Sequence, residues 1–406
     1  LDFYVMKEGE KAVVALIHAL EACQFEPRRV PDLPSCHRIK DGVLVRPALA
    51  ERVRDLDTLP SPYTAGLMDK FFDGVLIPLT HTTRGCPFQC SFCTEGTEYY
   101  AKVTKRSTLE SDLDYIGPRV GSVQDLIISD ANFGMFKEDI GKAEAIARSQ
   151  DKYGWPNYVH VSGGKNHKER LLEVAKIVRG SMNVAASLQT TDREVLQNVK
   201  RENISLDALA AVGKIGTKID ANTYAELILN LPGDTKRAHW QSIQDAVNAG
   251  LNFVKLYQLI MLPETDMNTP ETRAKFGMQT KFRVMPRCFG RYQLYGESFV
   301  AAEVEEVCVA QDSMTFDDYL ECRELDLTVE IVHNAAMYRE LFGLCKVTGL
   351  NWFEFLMAFH EKRRDFGDAL RALYDEFRHD TARPLYMTRG EALAFARDNI
   401  DRFIAC

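Results

Sequence analysis

Six short apolar runs recur between residues 75 and 260, and segments with helical patterns separate them. Strands that alternate with helices build βαβ units and a parallel sheet. Six such units are too few for a closed eight-unit barrel. The repeat therefore predicts an α/β fold with a partial (β/α)6 barrel. The predicted strands are Val75–Thr80, Leu126–Asp130, Tyr158–Ser162, Val184–Gln189, Tyr224–Leu231 and Val254–Ile260.

Three cysteines follow the first of these runs at the spacing C-x3-C-x2-C, namely Cys86, Cys90 and Cys93. A loop this short can fold three thiolates around one centre, and such soft ligands select iron–sulfur clusters or zinc. Three thiolates satisfy three irons of a cubane [4Fe–4S] cluster and leave the fourth iron open. A structural zinc site needs a fourth ligand close by, for which His81 is the nearby candidate. The spacing favours a cluster, with zinc as the alternative.

Several of the predicted strands carry polar residues on one face. Side chains alternate between the two faces of a strand, and a strand covered on both faces is nearly all apolar. One polar face per strand therefore predicts a barrel interior that is lined for a polar ligand. For a single residue such as His160, a satisfied core histidine is an equal alternative. The polar sets are Tyr158, His160 and Ser162; Ser187 and Gln189; Glu226 and Asn230; Lys255 and Tyr257; and Asp130 with Asn132.

The cysteine segment resembles the radical S-adenosylmethionine (SAM) superfamily, whose signature is C-x3-C-x-Φ-C with an aromatic residue at Φ. Phe92 stands at that position here. The resemblance extends over about residues 60–265. It implies that the open iron chelates the amino and carboxylate groups of SAM. One electron from the reduced cluster then cleaves SAM, and the 5′-deoxyadenosyl radical takes a hydrogen atom from a substrate.

The same resemblance implies roles for further residues. The backbone of Phe92 would contact the adenine, as would Tyr257 on the last strand. Asp130 and Asn132 lie where the family holds the methionine amino group, although the common G-G-E form is absent. The fourth-strand pattern that contacts ribose and carboxylate corresponds to Ser187, Gln189 and Arg201. Asn230 stands in a fifth-strand element similar to G-L-P-G-E-T. No catalytic residue is assigned, and Tyr257 and His160 are the candidates.

Residues 1–74 read as a helix followed by a Pro-rich connector. The Glu8-Gly9-Glu10 element resembles the end of a cobalamin-binding domain in radical SAM proteins that carry one at their N-terminus. An ordinary leading helix is the alternative. From this resemblance we expect a further upstream domain of ~100–150 residues, which is the common domain size. Cobalamin is accordingly an expected additional cofactor.

Residues 75–265 are predicted to form the partial barrel, and residues 266–406 a mostly helical cap or substrate region. Arg283, Arg287 and Arg291 would share one face if their segment is helical. Such a face could receive an anionic substrate group, or it could simply be solvated. The cap shows no second C-x2-C pair, so we expect no auxiliary cluster.

Composition excludes several classes of protein. A net charge of −8 argues against a general nucleic-acid binder, which would show a basic footprint. No apolar run approaches the ~18 residues of a membrane-spanning helix. Three of the ten cysteines are clustered and the others are scattered, a pattern that favours a reducing cytoplasm over a disulfide-bonded secreted protein.

Three functions compete. The first is a radical SAM enzyme that abstracts hydrogen from a small molecule, with or without cobalamin-dependent methyl transfer, and that receives electrons from a donor such as flavodoxin or ferredoxin. The second is a cobalamin-independent radical SAM enzyme that modifies RNA or protein, or that oxidises or rearranges a small molecule. The third is a non-catalytic iron–sulfur module. A six-unit barrel with a polar interior favours the first.

Overall fold

The computed structural model describes residues 2–218, 222–335 and 337–404. Its contacts divide the chain into a smaller unit, Leu1–Pro60 with Thr104–Arg106, and a larger unit, Ser61–Val103 with Ser107–Cys406. The smaller unit contains an antiparallel sheet of three strands, Tyr4–Val5, Cys36–Lys40 and Val43–Val45, in that order. Within it, the Glu8 carboxylate accepts hydrogen bonds from Arg52 Nε at 3.0 Å and from the Val53 backbone at 2.8 Å. No described helix is both long enough and apolar enough to cross a membrane.

The elements follow one another along the chain in this order. Up to residue 185 they are β1 Tyr4–Val5, α1 Glu10–Ala22, β2 Cys36–Lys40, β3 Val43–Val45, β4 Leu79–Thr80, β5 Thr83–Arg84, β6 Thr104–Lys105, α2 Leu109–Ile116, β7 Asp125–Phe133, α3 Asp139–Tyr153, β8 Tyr158–Gly163, α4 Lys168–Ile177 and β9 Val184–Ala185. They continue with α5 Arg193–Asn198, α6 Leu206–Lys218, β10 Thr223–Leu229, α7 Lys236–Asn248, β11 Phe253–Gln258, α8 Pro270–Lys275, β12 Gln279–Leu294, β13 Glu297–Ala310, α9 Phe316–Val329, α10 Arg339–Thr348, α11 Trp352–Lys362, α12 Asp368–Ala382, α13 Arg389–Asp398 and α14 Ile400–Ile404. A π-helical turn, Glu330–Asn334, extends α9.

Parallel strands form the centre of the larger unit. One sheet has the order β4-β7-β8 and another has the order β9-β10-β11, with parallel pairing throughout. A parallel bridge joins Val159 of β8 to Met182, which precedes β9. The predicted alternation of strands and helices is confirmed, because α2 to α7 lie between these strands in the chain.

Two of the predicted strands are reduced to two residues each. The first is a strand only at Leu79–Thr80. The Asp73 carboxylate accepts the backbone N–H groups of Val75 and Leu76, each at 2.9 Å, so a turn takes up the donors that a strand would use. The fourth ends at Ala185, because Ser187 and Gln189 have positive φ angles of 42° and 68°.

The main core lies between the parallel strands and their helices. Leu126 and Ile128 of β7 are fully buried, as is Ile146 of α3. Burial of each such side chain contributes about 1.5–3 kcal/mol. Helix α3 ends at Gly154, whose left-handed φ of 65° lets its N–H bond the carbonyl of Gln150 at 2.9 Å. These layers hold the carboxyl ends of β7 and β8 in place.

Residues 279–310 form a long antiparallel hairpin, so the condition under which Arg283, Arg287 and Arg291 would share a helical face is not met. Tyr295 and Gly296 close the hairpin with positive φ angles of 52° and 83°, the backbone that two-residue hairpin turns favour. A register shift between Val284 and Phe289 takes Arg287 out of the regular pairing. From Phe316 onward, the described residues lie mainly in helices α9 to α14.

Two of those arginines have carboxylate partners. Arg283 Nε lies 2.6 Å from Glu305 Oε1 on the paired strand, and Arg291 Nη2 lies 2.6 Å from Asp401 Oδ1. Their charges are therefore compensated within the chain, and they do not form an open basic face.

Candidate functional site

The three cysteines occupy a loop of consecutive turns after β5. Cys86 and Cys90 are buried and Cys93 is half-buried. The Cys86 N–H donates to the carbonyl of Tyr100 at 3.0 Å, and the Cys93 N–H donates to the carbonyl of Cys90 at 3.1 Å. Backbone bonds of this kind fix the loop without using the thiols, which remain available as ligands.

Two glycines let the loop fold this tightly. A Cβ added at Gly85 would lie 2.5 Å from the carbonyl oxygen of Tyr100, and the φ of Gly85 is +104°. A Cβ added at Gly96 would lie 2.3 Å from the carbonyl oxygen of Cys90. Since real side chains do not approach backbone so closely, both positions require glycine.

Hydrogen-bond donors from three other segments converge on the cysteine sulfurs. Asn132 Nδ2, at the end of β7, lies 3.2 Å from Cys86 Sγ. Arg201 Nη1 lies 3.6 Å from Cys90 Sγ. The Lys165 ammonium lies 3.4 Å from Cys90 Sγ and 4.0 Å from Cys86 Sγ. Donors and positive charge stabilise thiolates, which are the form that ligates metal.

At the half-buried Cys93, burial and the surrounding donors act on the pKa of the thiol in opposite directions. Burial raises the pKa of its thiol, while the loop's backbone hydrogen bonds and the charge of Lys165 act in the opposite direction. A metal would shift this balance fully to the thiolate.

Asp130 supports the loop instead of facing a ligand. Its Oδ1 accepts the backbone N–H groups of Thr82 at 2.7 Å and Thr83 at 3.0 Å, and its Oδ2 accepts the Thr82 hydroxyl. The carboxylate is 2% exposed. It therefore fixes the chain just before the cysteine loop. The sequence had suggested a different role for Asp130, close to the SAM amino group.

Asn132 combines a bonded and an unbonded end. Its amide nitrogen is on Cys86, whereas its Oδ1 is buried and has no hydrogen-bond partner. A buried polar atom without a partner carries a free-energy penalty. A ligand that donates a hydrogen bond to Asn132 Oδ1 would remove this penalty. The ammonium of a methionine-type ligand would supply one.

The turn after Asp130 and Asn132 is rigid. Asp139, at the start of α3, accepts the N–H groups of Gly134 at 2.8 Å and Phe136 at 2.9 Å. This carboxylate is fully buried and pairs with Lys142 Nζ at 2.8 Å. The end of β7 is thereby held against the cysteine loop.

Arg201 connects the predicted fourth-strand residues to the cysteines. Its Nη2 donates to the carbonyl of Ser187, and its Nε donates to Asn203 Oδ1 at 3.1 Å. Gln189 joins the sheet through its backbone, with its N–H on Glu226 O at 2.6 Å. Its side chain is 9% exposed. Arg201 thus connects the turn at Ser187 to Cys90.

Other predicted residues have structural partners. Asn230 Nδ2 donates to the Cys308 carbonyl at 3.1 Å, and its Oδ1 accepts Gln311 Nε2 at 2.7 Å. Both ends of its amide are therefore engaged within the chain. His160 Nε2 lies 2.6 Å from Asp125 Oδ1 in an exposed pair.

Phe92 and Tyr257 are partly accessible. Phe92 packs against an apolar cluster that includes Leu259 and Met261. Tyr257 is 47% exposed, and partial burial together with the Glu226 charge raises the pKa of its phenol.

Sequence reasoning missed Lys165 and Lys168, which lie in and after the loop that follows β8. Lys168 is 6% exposed and donates to the carbonyls of Gly164 at 2.7 Å and Ala185 at 2.9 Å. Burial, with the nearby charge of Arg201, lowers the pKa of Lys168 to about 7. The Gly163-Gly164-Lys165 sequence after a strand was the available signal.

A separate cavity of about 850 Å³ lies among α7, α9, α11 and α12. Its walls include Trp240, Glu324 and His360, and none of the predicted site residues lines it. Glu324 is almost fully buried there and pairs with Arg363, Arg364 and Arg378. These ion pairs join α9 to the segment that leads from α11 into α12.

The donor set fits a cluster. Within residues 2–218, 222–335 and 337–404, no three His, Cys, Asp or Glu side chains are grouped tightly enough to hold a single metal ion. Thiolates on one zinc ion lie about 3.8 Å apart, given Zn–S bonds of about 2.3 Å. A cubane spreads its thiolates over separate irons and allows wider spacing. The sulfurs, their donors and the unpaired Asn132 Oδ1 are all compatible with a cluster that binds a further ligand.

Comparisons with known proteins agree with this site. Residues 80–246 match the Radical SAM superfamily. The cobalamin-dependent radical SAM methyltransferase TokK of Streptomyces tokunonensis is 30% identical over 358 residues, which cover 84% of this chain and 50% of that protein. The 2-(S-pantetheinyl)-carbapenam-3-carboxylate methyltransferase of Streptantibioticus cattleyicolor is 29% identical over 357 residues, with the same two shares. The chain therefore spans about half the length of these relatives.

The fold is also similar to that of a solved structure. The radical S-adenosylmethionine methyltransferase TsrM from Kitasatospora setae superposes with a TM-score of 0.54 at 15% identity, over 73% of this chain and 57% of that chain. Residues 80–246 therefore carry a radical SAM domain, and the chain resembles cobalamin-dependent members of that superfamily. A radical SAM domain implies a [4Fe–4S] cluster and SAM as cofactors.

Proposed function

We propose that this chain is the catalytic part of a radical SAM enzyme acting on a small molecule, with cobalamin-dependent methyl transfer as its reaction. When bound, the cluster and SAM supply a 5′-deoxyadenosyl radical that takes hydrogen from the substrate, and cobalamin supplies the methyl group. The observation that carries the proposal is the convergence of Asn132, Lys165 and Arg201 on the sulfurs of Cys86 and Cys90.

Each residue group has a distinct task in this proposal. Cys86, Cys90 and Cys93 hold the cluster, and Asp130 fixes the chain that leads into their loop. The unpaired Oδ1 of Asn132 accepts a hydrogen bond from the SAM amino group. Arg201, next to the turn at Ser187 and Gln189, faces the SAM carboxylate.

We further infer that β4, β7, β8, β9, β10 and β11 form one partial (β/α)6 barrel. The parallel bridge between Val159 and Met182 supports this, because it links the two three-stranded sheets edge to edge. The carboxyl ends of all six strands then point to one side, where ligands of such folds bind. Asn132 lies near the end of β7 and Lys165 follows β8, both at that side.

Methyl transfer is favoured because the two relatives that match over 84% of this chain are methyltransferases. A cobalamin-independent hydrogen abstraction is the second candidate, supported by the superfamily match alone. The cluster would receive its electron from a flavodoxin or ferredoxin. All nine described cysteines are free thiols, which suits a reducing cytoplasm.

The test is reconstitution with iron and sulfide under anaerobic conditions, followed by reduction and addition of SAM. We expect about four irons per chain and formation of 5′-deoxyadenosine and methionine. Cys86→Ala, Cys90→Ala and Cys93→Ala should each abolish both results. Cys345→Ala, at another buried cysteine, is the matched control and should retain both. Stoichiometric zinc in place of iron would contradict the proposal.

A separate assay distinguishes the two candidate reactions. With hydroxocobalamin and excess titanium(III) citrate present, methyl transfer predicts S-adenosylhomocysteine as a product in addition to 5′-deoxyadenosine, because the corrinoid, once reduced by titanium(III), takes its methyl group from a second SAM. Formation of 5′-deoxyadenosine alone, whatever the corrinoid supplied, would favour the cobalamin-independent candidate.

A further inference from the structure

The loop between β8 and α4 places one lysine against the cysteine loop. The Lys165 ammonium contacts Cys90 Sγ at 3.4 Å and Cys86 Sγ at 4.0 Å. It also lies 4.9 Å from the ring centroid of Phe88, which belongs to the cysteine loop itself. Two sulfurs and an aromatic face thus surround one cation, an arrangement that favours a fixed position for the charge.

The segment that carries Lys165 is anchored on both sides. The Gly164 N–H donates to the carbonyl of Phe133 at 2.8 Å, and a Cβ at Gly164 would lie 2.7 Å from Cβ of Met135. On the other side, buried Lys168 donates to the carbonyls of Gly164 and Ala185. Because buried polar bonds of this kind are expensive to break, the backbone of Lys165 has little freedom to move away from the sulfurs.

Lys165 differs from the other two donors. Asn132 is neutral, and the Arg201 guanidinium is shared among Cys90, Ser187 and Asn203. The Lys165 charge lies against two thiol groups at once. Reduction adds one negative charge to a thiolate-ligated cluster, and both neighbouring charges and hydrogen bonds to sulfur set its potential.

We propose that the Lys165 ammonium raises the reduction potential of the [4Fe–4S] cluster, so that a biological donor can deliver the electron that SAM cleavage needs. The inference rests on the proposed function, because it requires the cluster. Lys165 acts through the cluster and does not react with substrate, so it is a positioning residue. Fixed positive charge stabilises the added electron at short range in a partly buried site.

The experiment is an EPR-monitored redox titration of reconstituted protein without SAM, with titanium(III) citrate as the reductant. Lys165→Met removes the charge and keeps the length of the side chain, and Lys165→Arg keeps the charge. We expect Lys165→Met to lower the equilibrium constant for reduction at least tenfold, which is about 59 mV for one electron. Lys165→Arg should stay within half of that shift.

Lys152→Met is the matched control, because Lys152 is an exposed lysine paired with Asp114 on the surface. Its potential should equal that of the wild type. An unchanged potential in a fully loaded Lys165→Met variant would overturn the inference.

If Lys165→Met fails to assemble the cluster, Lys165→Gln replaces it as a neutral donor of similar reach. A lowered potential in that variant supports the inference. Failure of both neutral variants, with Lys165→Arg fully loaded, would assign Lys165 to assembly and overturn the inference. Absence of a cysteine-dependent cluster in the wild type would instead refute the proposed function, so the two failures are distinguishable.

Discussion

Removal of the Asp130 carboxylate should destabilise the larger unit, because this side chain satisfies three donors ahead of the cysteine loop. Asp130→Ala leaves the N–H groups of Thr82 and Thr83 and the Thr82 hydroxyl without their acceptor, and Thr82 is fully buried. Each unsatisfied buried group costs about 1–3 kcal/mol. With partial rescue by water that enters the space, we expect a loss of about 3–5 kcal/mol.

The assay is urea denaturation followed by tryptophan fluorescence, since Trp155 lies in the core beside these strands. Asp130→Asn keeps one acceptor oxygen for both N–H groups and should lose less than half as much. Asp125→Ala, on the same strand, removes only an exposed pair with His160 and should change stability by about 1 kcal/mol or less.

Equal losses of stability in Asp130→Ala and Asp125→Ala would refute the stabilising role of Asp130. So would an Asp130→Ala variant that keeps wild-type stability and iron content but no longer binds SAM. That result would make the carboxylate a ligand of SAM, as its sequence position alone suggests.

Two further predictions concern the cysteine loop and its donors, and a third concerns the buried His360. Gly85→Ala should reduce the iron content by more than half, since its Cβ would meet the Tyr100 carbonyl at 2.5 Å, while Gly141→Ala, with open space around it, should load fully. Asn132→Ala and Arg201→Ala should weaken SAM binding about tenfold or more, or 1.4 kcal/mol, with iron content retained; wild-type affinity in equilibrium binding would sink the pocket assignment. Burial lowers the pKa of His360 to about 4, below the value of about 6.5 for an ordinary histidine. Between these two pH values the unfolded chain binds a proton that the folded chain does not. The free energy of unfolding therefore falls by about 2 kcal/mol as the pH is lowered from 7 to 5. His360→Gln should flatten that part of the urea-midpoint profile, and an unchanged slope would contradict this origin.

The sequence predicts the strand–helix alternation well, because its signals are local. Apolar runs, helical periodicity and the cysteine spacing all lie within short windows. Asn132 could be singled out for the same reason, since the end of a parallel strand is where ligands bind, and the structure places it on Cys86.

Long-range pairing is what the sequence does not show. Lys165 reaches cysteines 75 and 79 residues away, and no periodicity marks such a contact. The sequence does not reveal the hairpin of β12 and β13, because arginines at every fourth residue also suit a helix. In the structure Arg283 pairs with Glu305 on the neighbouring strand. The sequence suggests that Asp130 binds SAM. The three hydrogen bonds that it accepts from Thr82 and Thr83 show that it holds the segment before the cysteine loop.

The central claim is a cluster held by three cysteines with one iron open for SAM. Mössbauer spectroscopy of ⁵⁷Fe-reconstituted protein, with and without SAM, tests it most directly. We predict four irons per chain, and one quarter of the iron signal should change when SAM is added. A spectrum that SAM leaves unchanged, or iron that remains in full after Cys93→Ala, would contradict it.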